Sequence, residues 1–199
     1  MNSCAHCDAI AHYRDRDSDD YLCLSHARIE VTGPRSEPPR PPITIRPATP
    51  DDREHIAAFA DALWGEVLVE SFGRRYQVGT LPAFVAGDEG EIVGVASYAR
   101  EGKATNLVML NVLPRWQGRG VARGLTTAVI KMTRAEGADR VILTTTNDNL
   151  PALALYQRLG FTITEVIVGK LLEHHGGVEP GFSGIPVRDE IRMELRLRV

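Results

Sequence analysis

Several features that would assign this chain to a class are missing from its sequence. No apolar run approaches the roughly 20 residues that a membrane-spanning helix needs. The N-terminus, Met-Asn-Ser-Cys, lacks the charged-then-apolar pattern of a secretory signal. Together these absences predict a cytoplasmic protein without a membrane partner.

An excess of positive charge is also missing. The formal net charge is −3, and residues 1–32 alone hold six acidic and three basic side chains. No basic stripe is present to neutralise phosphates, which argues against a nucleic-acid partner. With 199 residues, 43% of them hydrophobic, the chain can bury one core and carry a small appendage.

The common nucleotide-binding motifs are absent as well. Gly118, Gly120 and Gly124 are spaced G-x-G-x-x-x-G rather than G-x-G-x-x-G, and no G-x-x-x-x-G-K-[ST] occurs. A dinucleotide fold and a P-loop are therefore disfavoured.

Cysteine is scarce, and all three cysteines fall within the first 23 residues. Cys4 and Cys7 form a C-x-x-C pair, and Cys23 and His26 form a C-x-x-H pair. Two such pairs joined by a loop can close a tetrahedral Zn²⁺ site. Four protein ligands leave no position for a reacting water, so the predicted site is structural. Metal binding could supply folding free energy on the order of 10 kcal/mol.

Two alternatives to this zinc site stay open. His6 or His12 could be the fourth ligand, or the segment could be a disordered tail with coincidental cysteines. Residues 33–42 contain five prolines and read as a semi-rigid linker. The predicted division is a zinc-binding module at 1–32, this linker, and a main domain at 43–199.

The main domain is organised around residues 107–137. Residues 107–113 form an apolar run of strand length, and apolar residues recur at helical spacing from Val121 to Met132. Gly137 is placed to stop the helix. Gly118 and Gly120 allow the intervening turn to direct several N–H groups at an anion such as a pyrophosphate.

Strands and helices alternate on both sides of this unit. Strands are predicted at 43–46, 81–86, 92–99, 140–146, 161–169 and 191–199. Helices are predicted from the Thr49 cap to about residue 64, at 66–72, and from the Asn149 cap to 160. Residues 172–190 are rich in glycine and proline.

Two motifs in this domain resemble one family. The segment from Gln117 to Ala122, Gln-Gly-Arg-Gly-Val-Ala, resembles the Gln/Arg-x-x-Gly-x-Gly/Ala signature of the GNAT superfamily of N-acetyltransferases. The segment from Asn149 to Phe161 resembles the second signature of that family. The resemblance implies an α+β fold with a mixed, mostly antiparallel sheet flanked by helices. It also implies direct acetyl transfer from acetyl-CoA to a primary amine of a small molecule or peptide.

The resemblance further implies roles for individual residues. Tyr156 would protonate the departing thiolate, or it is simply a packed helix tyrosine. Asn149 would contact the cofactor or merely cap its helix. The implied acetyl-CoA contacts are Leu110, Val112, Arg115, Gln117, Gly118, Arg119, Gly120, Val121, Ala122, Asn149 and Tyr156.

The general base is not defined by the resemblance. Many family members use a carboxylate on the central strand, where this chain has Asn106 and Asn111. Asp189 and Glu190, just before the last strand, are the main candidates. A water chain to solvent would also serve. The weaker candidates are Glu66, Glu101, His174 and His175.

A second function class is retained alongside the enzyme. The missing strand carboxylate would also fit a non-catalytic acyl-CoA-binding or interaction protein whose zinc module docks a partner. Self-association into a homodimer is left open under either interpretation.

Overall fold

The structure of the chain is a computed structural model that describes six ranges of residues. These are residues 13–14, 21–22, 43–64, 67–88, 90–175 and 179–197. The chain divides into two compact units, Met1–Pro41 and Pro42–Val199. Within the described ranges, no helix is long and apolar enough to cross a membrane.

The N-terminal unit contains a small hairpin. Strands β1 (Tyr13–Arg14) and β2 (Tyr21–Leu22) pair antiparallel. The predicted zinc ligands Cys4, Cys7, Cys23 and His26 lie outside the described residues. Among the residues that are described, no group of three or more metal-ligating side chains could hold a metal ion. The zinc site therefore stays a prediction.

The second unit carries the remaining strands and all four described helices. Its helices are α1 (Arg53–Trp64), α2 (Val121–Ala135), α3 (Leu150–Arg158) and α4 (Lys170–His175). Its strands are β3 (Thr44–Pro47), β4 (Leu68–Ser71), β5 (Arg74–Gln77), β6 (Ala83–Asp88), β7 (Glu91–Glu101), β8 (Ala104–Val112), β9 (Arg140–Thr146), β10 (Thr162–Ile167), β11 (Glu179–Pro180), β12 (Pro186–Val187) and β13 (Glu190–Arg196).

Seven of these strands form one sheet. Their order is β10-β13-β9-β8-β7-β6-β3, and every neighbouring pair is antiparallel except β8 and β9. Helix α2 makes the crossover between the parallel pair, as a parallel connection requires. The predicted α+β fold with a mixed, mostly antiparallel sheet is confirmed.

The sheet buries both of its faces. Neighbouring residues alternate between two hydrophobic clusters, so that Ala96 packs with α2 and α3 whereas Val95 packs with α1. We call the side covered by α2 and α3 the front face, and the side covered by α1 and the β4–β5 hairpin the back face.

Helix α2 follows the predicted pattern. Val121, Leu125 and Val129 are buried against the sheet, as their helical spacing indicates. Gly120 before the helix and Gly137 after it have φ values of +84° and +70°. Both glycines therefore adopt the left-handed conformation that marks the ends of this helix.

The helix predicted at 66–72 is wrong. The chain forms the β4–β5 hairpin there, with Leu68 paired with Gln77 and Ser71 paired with Arg74. Phe72 and Gly73 make the connection with φ values of +51° and +72°. A two-residue turn with two positive φ values matches the twist of a hairpin, and it cannot continue a right-handed helix.

Asp52 joins the start of α1 to strand β3. Its carboxylate accepts hydrogen bonds from the Thr49 main chain at 2.7 Å and from the Arg46 guanidinium at 2.7 and 2.9 Å. Chiefly because of Arg46, and then because of Thr49, the pKa of Asp52 lies well below its ordinary value. The carboxylate therefore stabilises the fold above its ordinary pKa of about 3.9, and this stabilisation is lost as the pH falls through the lowered folded value.

We expect Asp52→Asn to lower the unfolding free energy at pH 7 by about 1–2 kcal/mol, the usual cost of losing a helix cap. The loss should shrink as the pH falls below about 3.9, because the unfolded wild-type chain then takes up a proton that the folded carboxylate resists. Urea titrations between pH 7 and pH 3 measure both effects. Asp51→Asn, at the exposed neighbouring position, is the control and should change stability little.

Candidate active site

The central feature of the sheet is a gap between β8 and β9. The two strands pair over only three residues, and the last pair joins Asn106 to Ile142. Strand β8 then continues to Val112 without β9 beside it. The pairing of β8 with β7 slips at the same point, because Ser97 lies opposite Met109 and Tyr98 opposite Leu107. The extra residue, Val108, forms a β-bulge, which re-aims a strand.

Main-chain groups of β8 face this gap. The Leu113 amide donates to the Val93 carbonyl at 3.0 Å, and hydrogen-bonded pairs alternate with non-bonded pairs along an antiparallel ladder. The pairs of Val112 with Gly94 and of Leu110 with Ala96 are therefore non-bonded. The amides of Leu110 and Val112 consequently point away from β7, toward the edge that β9 leaves.

A glycine-containing loop leads from the end of β8 into α2. Gly118 and Gly120 have φ values of +72° and +84°, and a β-carbon at either one would meet open space. The first amides of α2 have no intrahelical partner, so they carry positive partial charge toward that space. The Gln117 side chain donates to the Val112 carbonyl at 3.1 Å and ties the loop to β8. Val121 is buried and Ala122 half-buried at the start of the helix.

Two arginines accompany the loop. Arg115 is exposed and forms an ion pair with Glu91 of β7. The Arg119 guanidinium lies 5.6 Å from the centre of the Trp116 ring, which is itself buried. Both arginines therefore make contacts within the protein, and Arg119 lies between the two positive-φ glycines.

Tyr156 projects from α3 into the core of the front face. It is 6% exposed, and its ring centre lies 5.6 Å from that of Phe161. Burial raises the pKa of the phenol above its ordinary value. The side chain is therefore neutral at pH 7.

The turn between β9 and α3 is held by three consecutive polar residues. Asn149 accepts a hydrogen bond from the Ala152 amide at 3.3 Å, which is the capping role. The Asn147 side-chain oxygen, Oδ1, accepts hydrogen bonds from the main-chain amides of Arg188 and Asp189 at 2.8 and 2.9 Å. Between them, the Asp148 carboxylate accepts a hydrogen bond from the Phe182 amide at 3.0 Å. The run Asn147-Asp148-Asn149 could have indicated such a clamp in the sequence.

The two main base candidates occupy different environments. Asp189 is buried and accepts hydrogen bonds from the Arg188 guanidinium at 2.9–3.1 Å and from the Gly169 amide at 2.9 Å. Arg188 first, and then Gly169, lowers the pKa of Asp189. A carboxylate with a lowered pKa is a weaker base, so this geometry favours a role in fixing the loop.

Glu190 lies on the back face of β13, which β9 separates from the gap. It pairs with Thr146 at the end of β9, on the strand's back-face side, since Leu143 and Met193 belong to the front face. Its side chain is 8% exposed, and it accepts a hydrogen bond from the Arg192 Nε at 2.8 Å. Arg192 in turn lies 5.1 Å from the centre of the Phe72 ring, at the tip of the β4–β5 hairpin.

A polar network crosses the back face where the gap begins. Ser71 donates to the Asn106 side chain at 3.2 Å and lies 3.3 Å from the Thr144 hydroxyl. The Asn106 amide donates to Glu101 at 3.4 Å, and the Tyr76 hydroxyl also donates to Glu101. This network ties the hairpin to three strands of the sheet, and no sequence pattern predicts it.

Among the weaker base candidates, only the Glu101 side chain lies in the described part of the structure. Glu101 belongs to the network, and Glu66 lies outside the described residues. The backbone of His174 and His175 ends helix α4, but their side chains are outside the described part of the structure. The elements that border the gap are β8, β9 and the glycine loop that follows β8.

Comparison with known proteins defines the class of this fold and site. Residues 50–161 match the profile of the acetyltransferase (GNAT) family, and the chain belongs to that family. The matched residues include the gap, the glycine loop and Tyr156.

Individual proteins resemble this chain in sequence or in fold. The uncharacterised protein YxbD of Bacillus subtilis is 25% identical over 162 residues, which cover 78% of this chain and all of YxbD. An IAA acetyltransferase from Bacillus cereus has a similar fold, with a TM-score of 0.63, 22% identity, and coverage of 78% of this chain and 100% of that one. A GNAT family acetyltransferase from Elizabethkingia anophelis with acetyl-CoA bound gives a TM-score of 0.60 at 22% identity, covering 78% and 98%.

Proposed function

We propose that this protein transfers the acetyl group of acetyl-CoA directly to a primary amine of a small molecule or peptide. The observation that carries the proposal is the gap between β8 and β9, with unpaired main-chain amides on one side and the glycine-bounded start of α2 at its end. One strand edge and one helix start together offer donors for an extended, doubly anionic ligand. The alternative of a non-catalytic acyl-CoA-binding protein is not favoured by membership of an acetyltransferase family.

The cofactor assignment follows the elements around the gap. The amides of Leu110 and Val112 would bind the pantetheine arm and the thioester oxygen. The glycine loop from Gln117 to Ala122 would hold the pyrophosphate, and Arg119 would add positive charge there. Arg115 would have to exchange its ion pair with Glu91 to contribute. Asn149 is assigned to the helix cap first, with a cofactor contact as its secondary role.

The acceptor amine would then approach from the back face, where Glu190 lies one strand beyond the gap. The Glu190 carboxylate accepts the proton that the amine loses as its nitrogen attacks the thioester carbon. The amides of β8 donate to the oxyanion that forms. When the carbon–sulfur bond breaks, the net movement is one proton from nitrogen to sulfur. Asp189 is assigned to fixing the loop before β13.

Tyr156 is assigned to the departing sulfur. A thiol has a pKa of about 8.5, so a phenol with a raised pKa is the weaker acid of the two. The Tyr156 hydroxyl therefore acts chiefly by donating a hydrogen bond that strengthens as the thiolate forms. Glu190 releases the proton that it took from the amine to solvent, and solvent protonates the sulfur, so that no net proton is gained or lost.

The experiment that tests the function is release of free thiol from acetyl-CoA over a panel of primary amines. We expect amine-dependent thiol release, together with calorimetric binding of CoA. CoA binding without thiol release for every amine would instead support the binding protein.

Glu190→Gln tests the base assignment. We expect kcat to fall by about 10²- to 10⁴-fold, the usual contribution of a general base. The remaining rate should climb with pH up to the pKa of the amine, because only the neutral amine then reacts. Initial rates from pH 6 to pH 10 measure both effects.

Glu165→Gln is the matched control. Glu165 binds the same Arg192 at 2.7 Å but lies on the exposed edge strand β10. A rate loss of equal size in both variants would show that Arg192 pairing matters rather than proton transfer.

The zinc site is proposed on its ligand set alone. Cys4, Cys7, Cys23 and His26 provide two thiolate-containing pairs with the spacing of structural zinc sites. We expect one Zn²⁺ per chain in protein purified without added metal, and loss of this metal in the Cys4→Ser/Cys7→Ser variant. A chain starting near Pro42 should still fold and bind CoA. Absence of zinc from the full chain would contradict the site.

A further inference from the structure

Two buried polar side chains on the back face have no partner among the described residues. They are the Asn111 amide nitrogen and the Ser97 hydroxyl, on residues that are 7% and 0% exposed. Asn111 lies opposite Val95 and Ser97 opposite Met109, so the two belong to one sheet face in adjacent strands. Val95 and Met109 belong to the back-face cluster. A buried unpaired polar group is costly, and most native examples have an explanation.

The position of Asn111 on β8 indicates which ligand could satisfy its amide. It lies between Leu110 and Val112, whose amides face the gap, in the part of β8 that β9 has left. Its side chain is on the back-face side of the sheet, as is that of Glu190. The unpaired amide nitrogen is buried, and it lies on the face from which the acceptor is proposed to approach.

Asn106 shows what a structural asparagine looks like on the same strand. It is fully buried on the back face, and it both accepts a hydrogen bond from Ser71 and donates one to Glu101. Asn111 has the same chemistry and comparable burial, but its donor is not used. An amide of this kind is satisfied when a ligand oxygen reaches it.

We propose that Asn111 is a specificity-determining residue that donates a hydrogen bond to an oxygen of the acceptor next to its reactive amine. This inference rests on the proposed N-acetyltransferase function. The substrate class it names is amines with an adjacent carbonyl, such as an amino acid amide or the N-terminus of a peptide. Plain alkylamines would leave the Asn111 amide unpaired, and sites that bind a polar substrate group reject analogues lacking it.

The stability of two leucine variants provides the first test. Asn111→Leu removes an unpaired polar group in the absence of acceptor, so the melting temperature should rise or stay level. Asn106→Leu breaks a bonded network, so its melting temperature should fall. A fall for Asn111→Leu as large as that for Asn106→Leu would overturn the proposal, because Asn111 would then be structural. Asn111→Ala repeats the comparison without added volume.

The acceptor preference provides the second test, with thiol release from acetyl-CoA as the readout. Wild-type protein and the Asn111→Leu and Asn111→Ala variants are compared on alaninamide, a short alanyl peptide and isopropylamine. We expect the variants to lose about 10- to 100-fold in kcat/KM on the two carbonyl amines and little on isopropylamine. The ratio between proteins cancels the difference in basicity of the amines.

The remaining outcomes distinguish failure of the Asn111 contact from failure of the proposed acetyltransferase function. Equal losses on all three amines would place the Asn111 amide at the thioester oxyanion and overturn the acceptor contact. Unchanged kcat/KM on every amine would also overturn it. Thiol release with none of a wider amine panel, while CoA still binds, would contradict the proposed function itself.

Discussion

Gly120→Asp is expected to weaken CoA binding by about 100-fold or more while leaving the fold intact. The residue has a φ of +84°, a conformation that aspartate tolerates better than most residues. The new carboxylate would stand at the start of α2, where the glycine loop would hold the pyrophosphate. Two lost charge-assisted hydrogen bonds, at about 1.5–3 kcal/mol each, already account for this loss.

The control for Gly120→Asp lies at the other end of the same helix. Gly137 has a φ of +70°, and a β-carbon there also meets open space. Gly137→Asp therefore carries similar strain and the same charge without proximity to the proposed site. Calorimetry with CoA should show near wild-type affinity for this variant. Equal affinity for CoA in Gly120→Asp and wild type would remove the pyrophosphate assignment.

Tyr156→Phe is expected to lower kcat by about 10²- to 10³-fold, the usual cost of removing one donor to a developing negative charge, with nearly unchanged CoA affinity. The substitution keeps the buried ring and its contact with Phe161 and deletes only the hydroxyl. The loss falls on kcat because the hydrogen bond to sulfur strengthens only as the thiolate departs. Single-turnover rates and calorimetric affinities measure the two quantities.

Tyr98→Phe is the matched control for the loss of a phenol. Tyr98 is half-buried on β7 and stacks on Phe84 with ring centres 5.9 Å apart. Its replacement should leave kcat unchanged. A kcat for Tyr156→Phe within about threefold of wild type, where chemistry limits turnover, would make Tyr156 a packing residue without a hydrogen bond to the departing sulfur.

The elements around the gap were predictable because their signals are local. Apolar residues at helical spacing define α2, and the glycines at 118, 120 and 137 mark positions where the φ is positive. The strand and helix bounds from 107 to 160 agree with the structure to within a few residues. The GNAT fold follows from the same segment.

The back face was less predictable because its geometry depends on long-range pairing. The β4–β5 hairpin depends on positive φ values at Phe72 and Gly73, and only Gly73 indicates such a turn in the sequence. The position of Glu190, one strand beyond the gap, requires the register of β13 against β9. The unpaired state of Asn111 and the bonded state of Asn106 differ only through Ser71 and Glu101, which come from other strands. Sequence patterns do not encode these contacts.

The most direct test of the proposed activity is the fate of the acetyl group itself. Full-length protein is incubated with acetyl-CoA carrying an isotopic label in the acetyl group and with the amine that gives the fastest thiol release. The account predicts labelled acetyl on the amine nitrogen by mass spectrometry, with one free CoA formed for each labelled product. Free CoA accompanied only by labelled acetate, with an unmodified amine, would contradict it.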